Sequence, residues 1–124
     1  MRRSAGPHAH DADLQVFKAA FFKALAHPVR IRILELLVRG DRSVQEMQEA
    51  LTLEQPVVSQ QLSVLRASRI VVGQKEGNSV RYRVRDPLVA DLLVIARGIF
   101  NNQLIGTRSR QLRDEHGLRR ATKT

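Results

Sequence analysis

The sequence predicts a mainly α-helical domain that also contains one small β-hairpin. Apolar residues recur every three or four positions through most of the chain, and they alternate with polar residues only near residues 80–84. The length of 124 residues and the 43% hydrophobic content fit one domain with one core. We expect a flexible arm over residues 1–12, the domain over residues 13–104, and a basic, flexible tail over residues 105–124.

Two helices are expected in the first forty residues, with a proline between them. From about residue 13, Leu14, Phe17 and Phe21 have the spacing of an amphipathic helix. Pro28 suits the first turn of a second helix, because its missing N–H is not needed there. Gly40 follows this helix at the position where glycine relieves left-handed strain.

A third and a fourth helix follow, joined by a short turn. Ser43 and Glu46 have the spacing of a capping box, in which each side chain satisfies a backbone N–H of the first turn. Residues 52–54 form the turn, and the fourth helix runs from about residue 55 to residue 68. Its buried stripe is predicted to consist of Val58, Leu62 and Leu65.

A hairpin and a fifth helix complete the predicted order of elements. Apolar side chains alternate with arginines from Val80 to Arg85, and residues 71–76 can form the partner strand across a Gly77-Asn78 turn. Asp86 and Pro87 can begin the fifth helix. This helix is apolar nearly all round, so a partner subunit is the expected cover for part of it.

A helix, a short turn, a second helix and a basic hairpin make a winged helix-turn-helix. The fourth helix would read the DNA major groove, and the third would brace it. Glutamine can pair with adenine, serine can donate or accept, and a valine can contact a thymine methyl. The alternative is an ordinary solvated helix face. The reading residues predicted on the fourth helix are Gln55, Val57, Ser59, Gln60, Gln61 and Ser63.

The hairpin supplies the predicted wing residues. Arg81, Arg83 and Arg85 project from one face of their strand, and Lys75 lies on the neighbouring strand. Together with Asn78 at the turn, they can follow a phosphate backbone or enter a minor groove. The alternative is an edge strand whose charge protects it from aggregation. Its position directly after a reading helix favours DNA binding.

Four segments together resemble one bacterial family. They are Ala24–Leu37, Ser43–Met47, Gln55–Arg66 and Gly77–Val84, and they are similar to the arsenic- and zinc-responsive winged-helix repressors. The resemblance implies a homodimer through the first and last helices, bound to a palindromic operator and released by an inducer. The family often has His where this chain has Gln61, so the base read there stays open. The predicted dimer residues are Leu14, Phe17, Phe21, Leu88, Leu92, Ile95 and Ile99.

The metal sites of this family are largely missing from the sequence. The chain has no cysteine, and of the last-helix ligand positions only Asp86 carries a carboxylate, whereas Leu88, Ile99 and Asn102 occupy the others. No cofactor is required. The remaining candidate ligands for Ni or Zn as an effector are His8, His10, Asp11 and His116, and the alternative is a polar arm with uncommitted histidines.

The composition favours a nucleic-acid partner. Lys and Arg number 21 against 12 Asp and Glu, a net charge of +9, and small basic domains usually bind a polyanion. No catalytic arrangement of residues points to an enzyme. No apolar run approaches the roughly 18–20 residues that span a bilayer, and no signal-peptide core is present. We therefore expect a cytoplasmic protein with double-stranded DNA, and no membrane, as its partner.

Only a small part of this charge lies in the predicted reading region. Residues 40–85 contain seven basic and five acidic residues, a net charge of +2. The remaining charge can draw the protein to DNA in general, whereas sequence preference must come from uncharged Gln and Ser side chains. The competing interpretation is a winged-helix module that binds protein or RNA without operator specificity.

Overall fold

Five α-helices and three short strands follow one another in the computed structural model, which describes the backbone of residues 7–123 and the side chains of residues 11–107. The predicted order of helices and hairpin is confirmed, with one additional strand. The elements are α1 (Pro7–Leu25), α2 (Pro28–Leu37), β1 (Arg42–Ser43), α3 (Val44–Leu51), α4 (Gln55–Ala67), β2 (Val71–Glu76), β3 (Ser79–Val84) and α5 (Leu88–Lys123).

Helices continue beyond both ends of the domain predicted over residues 13–104. The arm predicted over residues 1–12 is helical from Pro7 onward, because proline suits the first turn of a helix and no helix-breaking residue follows it before residue 13. Residues 1–6 lie outside the described residues. The tail predicted from residue 105 continues α5 to Lys123, since its Arg, Gln, Leu and Lys residues favour helix.

Side-chain caps fix where α2 and α3 begin. His27 precedes α2, and its Nδ1 accepts a hydrogen bond from the Val29 N–H at 3.1 Å, with Pro28 in the first turn. At α3 the predicted capping box is present: the Glu46 N–H donates to Ser43 Oγ at 3.2 Å. The Ser43 N–H donates to Glu46 Oε1 at 2.9 Å. Such reciprocal caps satisfy N–H groups that the helix itself leaves without acceptors.

The core of residues 11–87 is aliphatic and forms between the helices and the sheet. The predicted stripe of α4 is confirmed, since Val58, Leu62 and Leu65 are all buried. Ile33 and Met47 from α2 and α3 are also buried, as their spacing predicts. Leu34, Ile70 and Val71 are further members of this core, and we did not predict their burial.

The sheet has three antiparallel strands in the order β1-β3-β2. In the hairpin Glu76 pairs with Ser79, so the two-residue turn is Gly77-Asn78, as predicted. Gly77 has φ +63°, which a glycine in the first central position adopts without strain. Strand β1 was missed, because two residues are too few to show an alternating pattern.

The chain divides between Pro87 and Leu88 into two compact units, and α5 forms the second. The division into an arm, a domain over residues 13–104 and a tail stays a prediction. The stretch Leu88–Thr107 of α5 is also long and apolar enough, by length and composition, to cross a bilayer. Our expectation that no apolar stretch approaches this length is wrong, because Asp91 and Arg97 interrupt the run without making the 20-residue stretch polar overall.

Candidate nucleic-acid interface

The turn between α3 and α4 is held by contacts from both of its sides. Thr52 ends α3 in the left-handed region with φ 56°, and its N–H donates to the Gln48 carbonyl oxygen. The Leu53 N–H donates to the same oxygen at 3.1 Å. Arg32 of α2 donates from Nη2 to the Leu51 carbonyl oxygen at 2.8 Å. These contacts hold the end of α3 and the turn that leads into α4.

Four of the six predicted reading residues on α4 are exposed. These are Gln55, Val57, Gln60 and Ser63, whereas Ser59 and Gln61 are half-buried. At about 100° per residue, Gln60 and Ser63 lie opposite the buried stripe of α4. Within the described part of the chain, the side-chain amide of Gln60 has no hydrogen-bond partner. Among the described residues, Gln60 is therefore a reading glutamine whose whole amide is available for base contacts.

Hydrogen bonds within α4 occupy the two serines. Gln55 donates from Nε2 to Ser59 Oγ at 2.8 Å. The Ser63 hydroxyl donates to the Ser59 carbonyl oxygen, four residues earlier, at 3.0 Å. Such local bonds compete with contacts to a ligand. Ser63 still keeps its acceptor capacity, because a hydroxyl oxygen has two lone pairs.

Gln61 is tied to α2 and does not face outward freely. Its Oε1 accepts a hydrogen bond from Arg30 Nη1 at 2.8 Å. At about 100° per residue, it lies on the flank of the buried stripe of α4, not opposite it. The prediction that Gln61 belongs to the outward face is therefore corrected: the side chain lies at its border, with one end of its amide bound.

The strand register separates the predicted basic residues of the wing. Directly paired residues share a sheet face, so Arg81 and Arg83 lie on the face of their partners Gln74 and Val72. Lys75 pairs with Val80 and therefore lies on the opposite face. The sequence alone did not distinguish these faces. Arg83, Asn78 and Lys75 are exposed in the hairpin, as a wing that contacts DNA requires.

Arg81 is engaged within the protein. Its Nη1 lies 3.2 Å from Glu46 Oε1, and its Nη2 donates to the Asp41 carbonyl oxygen at 2.8 Å. The backbone N–H of Ser43 lowers the pKa of Glu46 most, and the positive charge of Arg81 lowers it further. Arg81 thus attaches the wing to the start of α3. Arg83 is left as the arginine of β3 best placed to contact phosphate.

Tyr82 joins the wing to the reading helix, and we did not predict this role. A Cβ added at Gly73, its cross-strand partner, would lie 3.0 Å from the Tyr82 ring, so a larger residue there would make the ring shift by a few tenths of an ångström. The guanidinium carbon of Arg66, in the last turn of α4, lies 5.9 Å from the centroid of this ring. This is a cation–π distance. The alternation of β3 predicts a buried Tyr82, but no sequence signal indicates its Arg66 partner.

Comparison with known proteins decides the family. The profile described as "Bacterial regulatory protein, arsR family" matches residues 27–72. An uncharacterized HTH-type transcriptional regulator of Mycobacterium tuberculosis, Rv0081, is 49% identical over 87 residues, which are 69% of this chain and 76% of the relative. The chain belongs to the arsR family of bacterial regulatory proteins. The resemblance predicted from the sequence is confirmed, and this arsR-family chain is a DNA-binding transcription regulator.

Solved structures of arsR-family and related proteins share its winged helix-turn-helix fold. The crystal structure of Rv0081 has a TM-score of 0.68 and 48% identity, covering 73% of this chain and 92% of that one. The homodimeric winged helix-turn-helix domain of Mb0332 from Mycobacterium bovis has a TM-score of 0.71 and 30% identity. The match covers 81% of this chain and 93% of that one. The transcriptional repressor BigR from Xylella fastidiosa has a TM-score of 0.65 and 34% identity. The match covers 74% of this chain and 95% of that one.

Most of the predicted dimer residues of this arsR-family chain present apolar surface. On α1, Leu14 and Phe17 are exposed and Phe21 is half-buried. On α5, Ile95 is 60% exposed and Ile99 is 55% exposed. Leu88 is also exposed, and Leu92 is half-buried. Each helix therefore leaves an apolar surface in contact with water in the single chain.

The described residues do not assemble the metal centres expected of some arsR-family regulators. Among them, no group of three or more His, Cys, Asp or Glu side chains is close enough to hold a metal ion. The side chains of His8, His10 and His116 lie outside the described residues, so the predicted site over these residues stays a prediction. Asp11, the fourth candidate, is exposed. His27 caps α2 through Nδ1, as a local turn residue does.

Proposed function

We propose that two copies of this chain bind a palindromic operator and repress the neighbouring gene without any catalysis. The observation that supports this most is the exposed polar face of α4, where Gln60 and Ser63 lie opposite the buried stripe. The third helix packs against α4, and Arg32 of α2 holds the end of the third helix through the Leu51 carbonyl oxygen. An α-helix fits the major groove, where each base pair presents a distinct pattern of donors and acceptors.

The wing supplies contacts that do not depend on sequence. Arg83 and Asn78 are exposed on β3 and at its turn. Arginine contacts to phosphate position a protein on DNA and release counterions, which makes binding dependent on salt. The net charge of +9 for the whole chain strengthens attraction to any duplex. Specificity in this proposal therefore comes from α4, and much of the affinity from the wing and the remaining charge.

The second copy covers apolar surface on α1 and α5. Phe17 of α1 and Ile95 of α5 are each at least 60% exposed, and large apolar patches of this kind mark interaction sites. A bilayer is the less suitable cover for Leu88–Thr107, because Asp91 and Arg97 within it would be costly in hydrocarbon. The relative Mb0332 is described as homodimeric. We place the working dimer in the cytoplasm, where the operator is.

Selection from a random duplex library tests this proposal. The purified full chain should enrich one palindromic sequence, and sedimentation equilibrium should give the mass of two chains. The specific duplex should bind at least 10³-fold more tightly than an unrelated one at the same salt concentration. A flat enrichment profile, with equal affinity for single-stranded RNA, would instead support the alternative of a protein- or RNA-interaction module.

A metal as the inducer stays a prediction with its own test. Imidazole nitrogens of His8 and His10 with the Asp11 carboxylate suit Ni or Zn by ligand chemistry. Calorimetric titration of Ni and Zn into the wild type and into the double variant His8→Ala, His10→Ala should show a site that only the wild type has. Identical weak binding to both proteins would exclude these histidines as ligands.

A further inference from the structure

We propose that Arg30, a residue of α2 outside the reading surface, determines which bases Gln61 can recognise. Its guanidinium connects the end of α1 to the border of the reading face of α4. This proposal rests on the proposed function, because it requires α4 to lie in the major groove of a specific duplex. It goes further in assigning the specificity of one reading position to a side chain that does not contact DNA.

The guanidinium of Arg30 has three acceptors. Its Nε donates to the Ala24 carbonyl oxygen at 2.6 Å, and its Nη2 donates to the Lys23 carbonyl oxygen at 3.4 Å. Both carbonyls belong to the last turn of α1, where a helix leaves its C=O groups without internal donors. The third bond, from Nη1 at 2.8 Å, goes to Gln61 Oε1. The end of α1 therefore holds the group that binds Gln61.

This contact decides the orientation of the Gln61 amide. Arginine carries donors and no acceptor, so only the oxygen of the amide can face it. The amide nitrogen with its two N–H donors then points away from Arg30. A hydrogen bond from a charged donor is also stronger than one between neutral groups, which resists rotation of the amide.

An amide held in this way has a different base preference from a free glutamine. A bidentate pair with adenine needs one donor and one acceptor directed side by side at the same base edge, whereas Arg30 holds the Gln61 oxygen toward α2. The donors that remain suit guanine, through O6 and N7, and thymine, through O4, whereas adenine offers them only N7 and leaves its N6 donor without an acceptor. Gln60, whose amide has no partner among the described residues, keeps the adenine preference.

The experiment is duplex selection with the full chain and a matched set of variants. Gln61→Ala first identifies the base pair that Gln61 reads in each half-site. Arg30→Met removes the guanidinium with all of its donors and keeps an unbranched side chain. Gln61→Glu keeps an acceptor for Arg30 and removes the amide donors. Arg39→Met, two residues after the end of α2, is the control, because Arg39 is exposed and its side chain has no hydrogen bond to α4 among the described residues.

The wild type should prefer guanine or thymine at that base pair. Gln61→Glu should lose this preference by on the order of tenfold. Arg30→Met should shift the preference toward adenine there and leave all other positions unchanged, while Arg39→Met keeps the wild-type profile. If Arg30→Met does not fold, as judged by circular dichroism, Arg30→Lys replaces it. Lysine has one nitrogen, so it cannot bridge α1 and Gln61 with the geometry of the guanidinium, and the same shift is expected.

Two results would overturn the role of Arg30. One is a wild-type adenine preference at the Gln61 position, and the other is a wild-type profile in the folded Arg30 variant. If Gln61→Ala changes no position, Gln61 does not read bases and the inference fails with it, while operator binding itself still stands. A wild type that enriches no sequence refutes the proposed function as well, so the two failures are distinguishable.

Discussion

The core beneath the reading helix and the surface of α5 use the same kinds of side chain in opposite ways. Ile33, Met47, Val58 and Leu65 have no exposed surface in the single chain. On α5, Val94, Ile95 and Phe100 are each at least 60% exposed. Aliphatic residues thus complete the core of residues 11–87 within one chain, whereas α5 leaves apolar side chains exposed. In the proposed dimer, the second copy covers this surface.

The largest expected effect comes from removing volume below the reading helix. Leu65→Ala should reduce the free energy of unfolding by about 2–5 kcal/mol, because Leu65 is fully buried and the lost volume leaves a cavity. Chemical denaturation measures this change. Val57→Ala on the exposed side of the same helix is the control and should change stability by less than about 1 kcal/mol. Similar losses for both variants would contradict the assigned burial.

A charge on the apolar surface of α5 should separate the two copies. Ile95→Asp places a carboxylate where we propose subunit contact, and unpaired buried charge is strongly disfavoured. Sedimentation should give the mass of one chain, with operator affinity lowered by on the order of a hundredfold and the helical content kept. Leu92→Asp should act in the same way. Ile95→Leu, which keeps the apolar surface, should remain dimeric, and a dimeric Ile95→Asp variant would move the interface elsewhere.

Truncation of the outward face of α4 should affect binding and leave folding unchanged. Gln60→Ala should weaken binding to the selected operator by about 1–3 kcal/mol and relax the preference at one base pair per half-site. The exposed position of Gln60 predicts an unchanged melting temperature. Affinity for an unrelated duplex serves as the internal control. An equal loss on both duplexes would mean that Gln60 contributes no base recognition.

The two arginines of β3 provide a smaller, contrasting effect. Arg83→Ala should weaken binding to all duplexes several-fold and reduce the slope of log affinity against log salt by about one. Arg81→Ala should change this slope less, because Arg81 already pairs with Glu46 at 3.2 Å. Fluorescence anisotropy at several salt concentrations separates the two variants. Equal slopes for the two variants would mean that Arg81 also contacts the DNA phosphates.

The smallest expected effect is on the stability of the fold at acidic pH. The folded state lowers the pKa of Glu46, chiefly through the backbone N–H of Ser43. The resulting stabilisation is present above the ordinary carboxyl range of about pH 4.3 and is lost as the pH falls through the lowered folded value. Glu46→Gln should therefore lose less stability than the wild type between about pH 5 and pH 3. If the melting temperatures of the wild type and Glu46→Gln fall equally with pH over this range, the lowered pKa of Glu46 is contradicted.

The helical part of the fold was predictable because its signals are local. Pro28 and the Ser43–Glu46 capping box fixed the beginnings of α2 and α3, and the apolar period of α4 identified its buried stripe. The position of Lys75 was also within reach of the sequence: a turn at Gly77-Asn78 pairs residue 75 with residue 80, which places Lys75 opposite the arginine face. Strand β1 was not predictable, because two residues give no pattern.

The site was predictable to the level of the helix face but not of individual contacts. Val57, Gln60 and Ser63 are exposed as the period of α4 requires, and Gln55 is exposed as the first residue of the helix. The bond between Arg30 and Gln61 joins residues 31 positions apart, and it depends on how α2 packs against α4. The contact between Arg66 and Tyr82 depends in the same way on the packing of β3 against α4. Long-range packing of this kind has no local sequence signature.

The position of Tyr82 gives this protein a built-in optical reporter. The chain contains one tyrosine and no tryptophan, so all of its long-wavelength ultraviolet emission comes from one ring. That ring crosses Gly73 in the wing and lies beneath the guanidinium of Arg66 at the end of α4. Any displacement of the wing relative to α4 changes the surroundings of a single chromophore. Movement of the wing on DNA can therefore be followed in the unlabelled wild-type protein.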